Sequence, residues 1–176
     1  MTDASPITCI CPGSYDPVTN GHLDIIARAA QIFERVVVGV IRDPQHKRTV
    51  FSVEERVEFL REALAEHENV EVDVFSDLVV EFARRWGART MVKGLRVISD
   101  FEWEFQMHHL NRKLAPEVET MYLMASPQYS FLSSRAVKEV ASFGGNVDDL
   151  VPPAVARRFE ELYPRPRPGA PVSPQE

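Results

Sequence analysis

The feature that most constrains the fold of this chain is a regular alternation between short apolar runs and longer amphipathic segments. Ile7–Cys11 and Val36–Ile41 are apolar runs with the length of buried strands, and the second is almost entirely β-branched. Between them, Gly21–Phe33 carries apolar residues at helical spacing. Because strands that alternate with helices form parallel sheets, we predict an α/β fold with helices on both faces of the sheet.

The same alternation continues to residue 162. Further strands are predicted over Val70–Phe75, Thr90–Val92 and Thr120–Met124. Further helices are predicted to begin at capping boxes Ser52–Glu55 and Ser99–Glu102, at Asp77, at Ser133 or Ser134, and at Pro153. No repeat or linker divides residues 1–163, so we expect one domain there. Residues 164–176 hold five prolines and no apolar periodicity, which predicts a disordered tail.

Composition and charge argue against several classes of protein. A net charge of −6 is unusual for a nucleic-acid binder, which normally has a basic excess. No apolar run approaches the roughly 20 residues of a membrane span, and Met1–Pro6 lacks the parts of a signal peptide. Cys9 and Cys11 lie two positions apart on a predicted strand, which favours reduced core thiols over a disulfide or a metal site. We therefore expect a cytoplasmic protein that binds neither nucleic acid nor membrane.

The segment after the first strand, Pro12–His22, has the residues of a phosphate site. A helix start offers unpaired N–H groups and a positive dipole end, and Gly21 and His22 stand at such a start. Because a phosphate oxygen is already a nucleophile, we predict that His22 donates to an α-phosphate rather than acting as a base. The spacing Thr19-x-Gly-His resembles the signature of nucleotidylyltransferases, which attack the α-phosphate of a nucleoside triphosphate and release pyrophosphate.

Three further polar segments follow strands and should meet Pro12–His22 at one sheet edge: Asp43–Arg48, Lys93–Arg96 and Ser130–Ser134. Cations before a helix start oppose its dipole, so Lys93 and Arg96 are best explained by bound phosphate. The serines either cap a helix or bind the β- and γ-phosphates. Acidic residues Asp100 and Glu102 suit a first helical turn, whereas Glu104 is predicted to accept from a ribose or adenine group.

With these residues in place, the chain resembles the bacterial phosphopantetheine adenylyltransferases from about Ile7 to Leu162. The resemblance is carried by Pro12–His22, Lys93–Arg96, Asp100–Glu104 and Tyr129–Ser134 in that order. It implies a Rossmann-like, doubly wound parallel sheet of five strands in the order 3-2-1-4-5, with C-terminal helices. It also implies adenylyl transfer from ATP to 4′-phosphopantetheine, giving dephospho-coenzyme A and pyrophosphate, with Mg²⁺ bound mainly through the ATP phosphates and a homo-hexameric assembly.

The resemblance also implies roles for individual residues. The catalytic residues would be His22, Lys93 and Arg96, and no protein metal site is expected. Contacts to phosphopantetheine would come from Ser14, His46 or Lys47, Val79 and Lys93. Contacts to ATP would come from Ser14, Tyr15, His22, Gly94, Leu95, Arg96, Glu104, Tyr129, Ser130, Phe131, Leu132, Ser133, Ser134 and Arg135.

The chain departs from the family pattern at three positions. His46 stands where the family usually has a substrate-binding Lys, and Lys47 follows one residue later. Arg135 stands where a third Ser is common, and Trp103 replaces the commoner Tyr. Two alternatives to the leading function stay open: transfer to another phosphorylated acceptor, such as nicotinamide mononucleotide or glycerol 3-phosphate, and a non-catalytic nucleotide-binding module. The motifs around Lys93 and Asp100 favour phosphopantetheine over the other acceptors.

Overall fold

The computed structural model describes residues 6–44 and 48–164. Five parallel strands form one sheet: β1 (Thr8–Gly13), β2 (Arg35–Ile41), β3 (Val70–Phe75), β4 (Thr90–Leu95) and β5 (Glu119–Met124). Their order is β3-β2-β1-β4-β5, which confirms the predicted Rossmann-like class and strand order. The helices are α1 (Asn20–Ile32), α2 (Val53–Ala63), α3 (Val79–Arg85), α4 (Ile98–Leu114), α5 (Ser134–Ser142) and α6 (Pro153–Leu162), with a 3₁₀ turn at Pro127–Tyr129.

The centre of the sheet opens at the carboxyl ends of its strands. β1 pairs with β2 along its whole length, from Thr8 to Gly13. Its pairing with β4 is limited to Cys9 with Thr90 and Ile10 with Met91. The strand order reverses between β1 and β4, and open α/β sheets bind ligands at such a reversal. The short pairing therefore leaves a crevice where a site is expected.

Two apolar cores cover the two faces of the sheet, as strand alternation requires. The larger core packs β1 and β2 residues such as Cys9, Cys11 and Val38 against α1, α2, α5 and α6. The smaller core packs Ile10 and Val37 against α3. Both cysteines are buried free thiols on one face, as predicted, and the hydrogen bond with Cys9, together with burial, raises the pKa of Cys11.

Two predicted helix caps are wrong, and a third is confirmed. Ser52 and Glu55 form the predicted reciprocal capping box of α2, with bonds of 2.9 and 3.2 Å. At α3, the cap position belongs to Leu78, because the carboxylate of Asp77 is drawn to Arg85 instead.

The predicted box Ser99–Glu102 does not form at α4. This helix begins at Ile98, so Ser99 already lies inside its first turn. Asp100 instead accepts from the backbone and the guanidinium of Arg96 at 3.0–3.2 Å. A charged partner four residues earlier therefore takes the place of the serine cap.

No helix within residues 6–44 and 48–164 is both long and apolar enough to cross a bilayer. The described chain ends just after α6, where Tyr163 stacks on Phe159 with ring centroids 6.2 Å apart. Apart from Pro164, the predicted tail lies outside the described residues.

Candidate active site

A cavity of about 480 Å³ occupies the crevice at the carboxyl ends of β1 and β4. It gathers side chains from three stretches that are far apart in the sequence, within residues 11–26, 92–104 and 125–135. The described residues of the predicted segment Asp43–Arg48 do not line it. Of the predicted site residues, the structure brings together Ser14, Tyr15, His22, Lys93, Gly94, Arg96, Glu104, Tyr129, Leu132, Ser133, Ser134 and Arg135. The cavity lining does not include Leu95, Val79, Ser130 and Phe131. His46 and Lys47 lie outside the described residues.

His22 is held in one orientation by the start of α1. Thr19 is the N-cap residue, its side chain accepts from the His22 N–H, and its own N–H donates to Nδ1 of His22 at 3.1 Å. The imidazole therefore takes the role that Glu or Gln plays in an ordinary capping box. Because Nδ1 accepts this hydrogen bond, the proton of a neutral imidazole belongs on Nε2, which makes Nε2 a donor.

Tyr15 packs beneath this imidazole. Its backbone has a positive φ of 49°, and its ring meets the His22 ring edge to face at 5.2 Å. Its hydroxyl donates to the Cys11 carbonyl at 2.8 Å. Burial, reinforced by the neighbouring cysteines, raises the pKa of Tyr15 well above its ordinary value. The side chain is thus an un-ionised support for His22 within the cavity wall.

The two cations at the end of β4, Lys93 on the strand and Arg96 just after it, are each paired with a carboxylate from α4. Lys93 Nζ lies 2.7 Å from Oε2 of Glu104, and both side chains are about one-fifth exposed. Arg96 forms a fork with Asp100 and donates to the Leu132 carbonyl at 2.6 Å. The second contact ties β4 to the segment that leads into α5. Both cations therefore face the cavity with their charge already balanced.

The two serines at the start of α5, Ser133 and Ser134, serve the fold through their hydroxyl groups. Ser133 caps α5 by accepting from the Ala136 N–H at 3.1 Å, and Ser134 donates to the Pro17 carbonyl at 2.8 Å. The capping alternative is therefore confirmed for the Ser133 hydroxyl. Gly21 allows this region to approach α1, because a Cβ at Gly21 would lie 3.3 Å from Cβ of Tyr129.

Arg56 is a supporting residue that sequence reasoning missed. Its guanidinium is almost fully buried and donates to the carbonyls of Ser14, Ile41 and Arg42 at 2.7–2.8 Å. Burial lowers the pKa of Arg56, although Asp16, Asp43 and Glu54 oppose the shift. The available signal was a charged residue on the apolar stripe of α2, between Val53 and Leu60.

Asp16 is the second such support. Its buried carboxylate accepts from the N–H groups of Val50 and Phe51 at 2.9 Å and from Lys138 Nζ at 2.6 Å. Lys138 belongs to α5, and Val50 follows the loop after β2. Asp16 therefore joins the loop after β1 to two other segments at the edge of the cavity.

A protein-held metal centre is not evident in the described part of the chain. No three His, Cys, Asp or Glu side chains of these residues are grouped as metal ligands. The two cavity carboxylates, Asp100 and Glu104, already face cations.

Comparison with known proteins agrees with this geometry. The sequence profile of the family described as cytidylyltransferase-like matches residues 10–140. A phosphopantetheine adenylyltransferase of Heliobacterium modesticaldum is 53% identical over 154 residues, which are 88% of this chain and 91% of that protein. The protein of the same name from Caldanaerobacter subterraneus is 51% identical, over 88% of this chain and 96% of its own length. A third, from Alkaliphilus metalliredigens, is 52% identical over 86% of this chain and 96% of its own.

Proposed function

The chain belongs to the phosphopantetheine adenylyltransferases of the cytidylyltransferase-like family, and from this premise we infer that it transfers the adenylyl group of ATP to 4′-phosphopantetheine. The products are dephospho-coenzyme A and pyrophosphate, so the enzyme is a nucleotidyltransferase of coenzyme A biosynthesis. The observation that carries this proposal is the cavity at the β1–β4 reversal, which brings Ser14 and His22 together with Lys93 and Arg96.

The reaction needs position and charge rather than a base. A phosphate oxygen of the acceptor forms a bond to the α-phosphorus as the bond from that phosphorus to the bridging oxygen breaks. The electron pair of the broken bond leaves on pyrophosphate. In our proposal, Nε2–H of His22 donates to an oxygen of the α-phosphate, whose charge develops in the transition state. Lys93 places the acceptor phosphate, and Arg96 binds the nucleotide phosphates.

We propose that Mg²⁺ enters with ATP and is bound mainly through the phosphate oxygens. The cavity residues fit this arrangement, because Asp100 and Glu104 are engaged with cations. When bound in this way, the ion would neutralise charge on the phosphate chain. The orientation of the α-phosphate and of the acceptor is left to His22, Lys93 and Arg96.

The remaining contacts keep their predicted assignments as part of this proposal. Ser14 and Lys93, with His46 or Lys47 and Val79, would contact phosphopantetheine. Tyr15, Gly94, Leu95, Glu104 and the Tyr129–Arg135 segment would surround ATP. Most of the described residues in these two sets line the cavity, which supports their assignments. Val79, Leu95, Ser130 and Phe131 do not line it.

We also propose a homo-hexamer in the cytoplasm. Support for self-association comes from α4, whose apolar side chains Phe101, Trp103, Phe105 and Leu110 are about half exposed. A helix with so much exposed aromatic surface is typical of an interface. Light scattering of the purified chain tests this: a mass six times that of the monomer agrees with the proposal, and a monomer contradicts it.

A coupled assay for pyrophosphate release tests the reaction. The purified chain is supplied with ATP, Mg²⁺ and one acceptor at a time: 4′-phosphopantetheine, nicotinamide mononucleotide or glycerol 3-phosphate. Release that depends on phosphopantetheine, with dephospho-coenzyme A as the second product, supports the proposal. If pyrophosphate is released only with another acceptor, that acceptor is the substrate and the proposal is wrong. ATP binding without pyrophosphate release would indicate a nucleotide-binding module.

A further inference from the structure

We propose that Asp24 is a positioning residue, which holds the loop after β5 at a fixed distance from His22 through a hydrogen bond with Ser126. The inference rests on the proposed function and adds a task for a residue that does not line the cavity. Asp24 lies in the second turn of α1, and its side chain is 19% exposed. Its Oδ2 has two partners, Ser126 Oγ at 2.9 Å and the Arg28 guanidinium at 3.2 Å.

Two side chains on one face of α1 contact the end of β5 and the loop that follows it. Arg28 donates to the Met124 carbonyl at 2.8 Å, and the same guanidinium pairs with Asp24. One turn nearer the start of α1, Asp24 accepts from the Ser126 hydroxyl. Because residues four apart lie on the same face of a helix, the loop runs along α1 toward its N-terminus.

The same face of α1 continues to Gly21, three residues before Asp24, where it meets Tyr129. A Cβ at Gly21 would lie 3.3 Å from Cβ of Tyr129, so the two backbones are close. Ala125 and Tyr129 line the cavity, whereas Ser126 does not. The loop is therefore attached to α1 by a residue outside the cavity, and it presents its neighbours to the cavity.

The hydroxyl of Ser126 is used for this long-range contact and not for a local one. Ser126 occupies the cap position of the 3₁₀ turn Pro127–Tyr129, but its side chain makes no cap hydrogen bond. A serine at a helix cap usually accepts from the backbone of the first turn. Here the hydroxyl donates to a carboxylate 102 residues away in the sequence. Since hydrogen bonds to charged groups are stronger than neutral ones, Asp24 competes successfully with the local cap.

The contact between Asp24 and Ser126 bears on where ATP lies relative to His22. In our proposal, the α-phosphate accepts from Nε2 of His22 at the start of α1, and Tyr129 belongs to the ATP contacts. One nucleotide must therefore meet α1 and the loop at the same time. A misplacement of about 1 Å can reduce a reaction rate roughly a hundredfold. Loss of this contact should therefore impair ATP binding and turnover and leave the acceptor largely unaffected.

Calorimetry and steady-state kinetics of four variants test this role. Ser126→Ala removes the hydroxyl, Ser126→Thr keeps it, and Asp24→Asn keeps an acceptor oxygen without the charge. Ser142→Ala is the matched control, because Ser142 donates to the Glu139 carbonyl at the end of α5 and does not line the cavity. ATP with Mg²⁺ and phosphopantetheine are titrated separately into each variant, and kcat is measured for each variant.

We expect Ser126→Ala to weaken ATP binding about three- to tenfold, the effect of losing one ordinary hydrogen bond. Its kcat should fall about tenfold, because the α-phosphate is no longer aligned with His22. Phosphopantetheine should bind within about twofold of the parent chain, as should both ligands to Ser142→Ala. Ser126→Thr should recover most of the loss, and Asp24→Asn should lie between the parent chain and Ser126→Ala.

A double-mutant cycle with His22→Ala separates positioning from a general structural role. If Ser126 acts by aligning the α-phosphate with His22, Ser126→Ala should change kcat by less than about twofold once the imidazole is absent. A kcat loss of the same size with and without His22 would overturn the proposal.

Unchanged ATP binding in Ser126→Ala would also overturn it, and so would equal weakening of ATP and phosphopantetheine. The ATP titration needs no acceptor and no turnover. If the chain fails to adenylylate phosphopantetheine but ATP binding follows the expected pattern, the proposed transfer reaction is wrong, while the role of Asp24 in positioning ATP stands.

Discussion

Lys93 donates from Nζ to Oε2 of Glu104 across 2.7 Å, and this contact joins two residues that we assign to different substrates. Lys93 is assigned to the acceptor phosphate and Glu104 to ATP. The carboxylate therefore competes with the acceptor for the same ammonium group. Binding of phosphopantetheine must either replace Glu104 as the partner of Lys93 or share the ammonium with it.

Glu104→Gln should move the two Michaelis constants in opposite directions. Without the carboxylate charge, Lys93 is freer for the acceptor, so the KM for phosphopantetheine should fall about two- to fivefold, as expected for a partly exposed pair worth about 0.2–1 kcal/mol. The KM for ATP should rise because a predicted contact is weakened. Steady-state kinetics with each substrate varied in turn measures both. Glu119→Gln breaks the Arg112 pair outside the cavity and is the matched control; parallel shifts of both constants would contradict the competition.

His22→Ala should reduce kcat far more than it changes either KM. An interaction made mainly in the transition state lowers turnover and leaves ground-state binding almost intact. Loss of one well-placed donor typically costs about 3–4 kcal/mol, or roughly 10²–10³ in rate. Steady-state kinetics gives the test, and near-normal turnover would remove His22 from the catalytic set. Thr19→Ser keeps the hydroxyl that accepts from the His22 N–H and should retain most of the activity.

Much of the fold and of the candidate site could be predicted from local sequence. The strand patterns, the helix start just before His22 and the cations at the end of β4 are local features, and each led to the right element. The failures have two causes: a competing partner a few residues away, and partners that are distant in the sequence. Ser99 has the sequence of a cap, but Asp100 binds Arg96 and the helix starts earlier. Arg56 and Asp16 act through partners 14 to 122 residues away, and no local pattern encodes such pairs.

Lys47→Ala should raise the KM for phosphopantetheine more than His46→Ala does, while the KM for ATP changes little. A lysine such as Lys47 has a permanent charge on a long stem, whereas a histidine with the ordinary pKa of its side chain is mostly neutral near pH 7. Loss of one charge-assisted contact should cost about 1.5–3 kcal/mol of binding. Both residues lie outside the described ranges, but the chain on either side, at Arg42 and Val50, is anchored beside Ser14 and Asp16.

Kinetics at two pH values decides between the two residues. If His46→Ala is the damaging change and its effect grows toward low pH, the acceptor phosphate is bound by a protonated His46. If neither variant alters acceptor binding, this loop does not belong to the site.

Lys138→Met should destabilise the fold and disturb both substrate subsites together. Removing the ammonium leaves the Asp16 carboxylate, which is 4% exposed, with backbone donors only. Removing one partner of a buried ion pair typically lowers the free energy of unfolding by about 3–5 kcal/mol. Because the backbone N–H groups still donate to Asp16, we expect a smaller loss of stability here. Chemical denaturation measures the loss. A stability unchanged within error would show that Lys138 contributes nothing to holding Asp16.

The ionisation of Tyr15 should appear only when the protein unfolds in alkali. Folding raises its pKa above the value of about 10 that an unfolded chain has, so its contribution to stability is complete below pH 10 and is lost as the pH rises further. Ultraviolet titration of the phenolate band should show a late component that coincides with loss of structure. Tyr15→Phe should lack this component, and its melting temperature should depend less on pH above 10.

The buried guanidinium of Arg56 has a consequence for how the site can come apart. One side chain of α2 holds the carbonyl of Ser14 on the β1 side and those of Ile41 and Arg42 on the β2 side. A fluctuation that undocks α2 therefore loosens the loop after β1 and the loop after β2 at the same moment. By linkage, a ligand bound to either loop protects α2 from local opening. Each substrate therefore stabilises the same helix, although neither needs to contact α2.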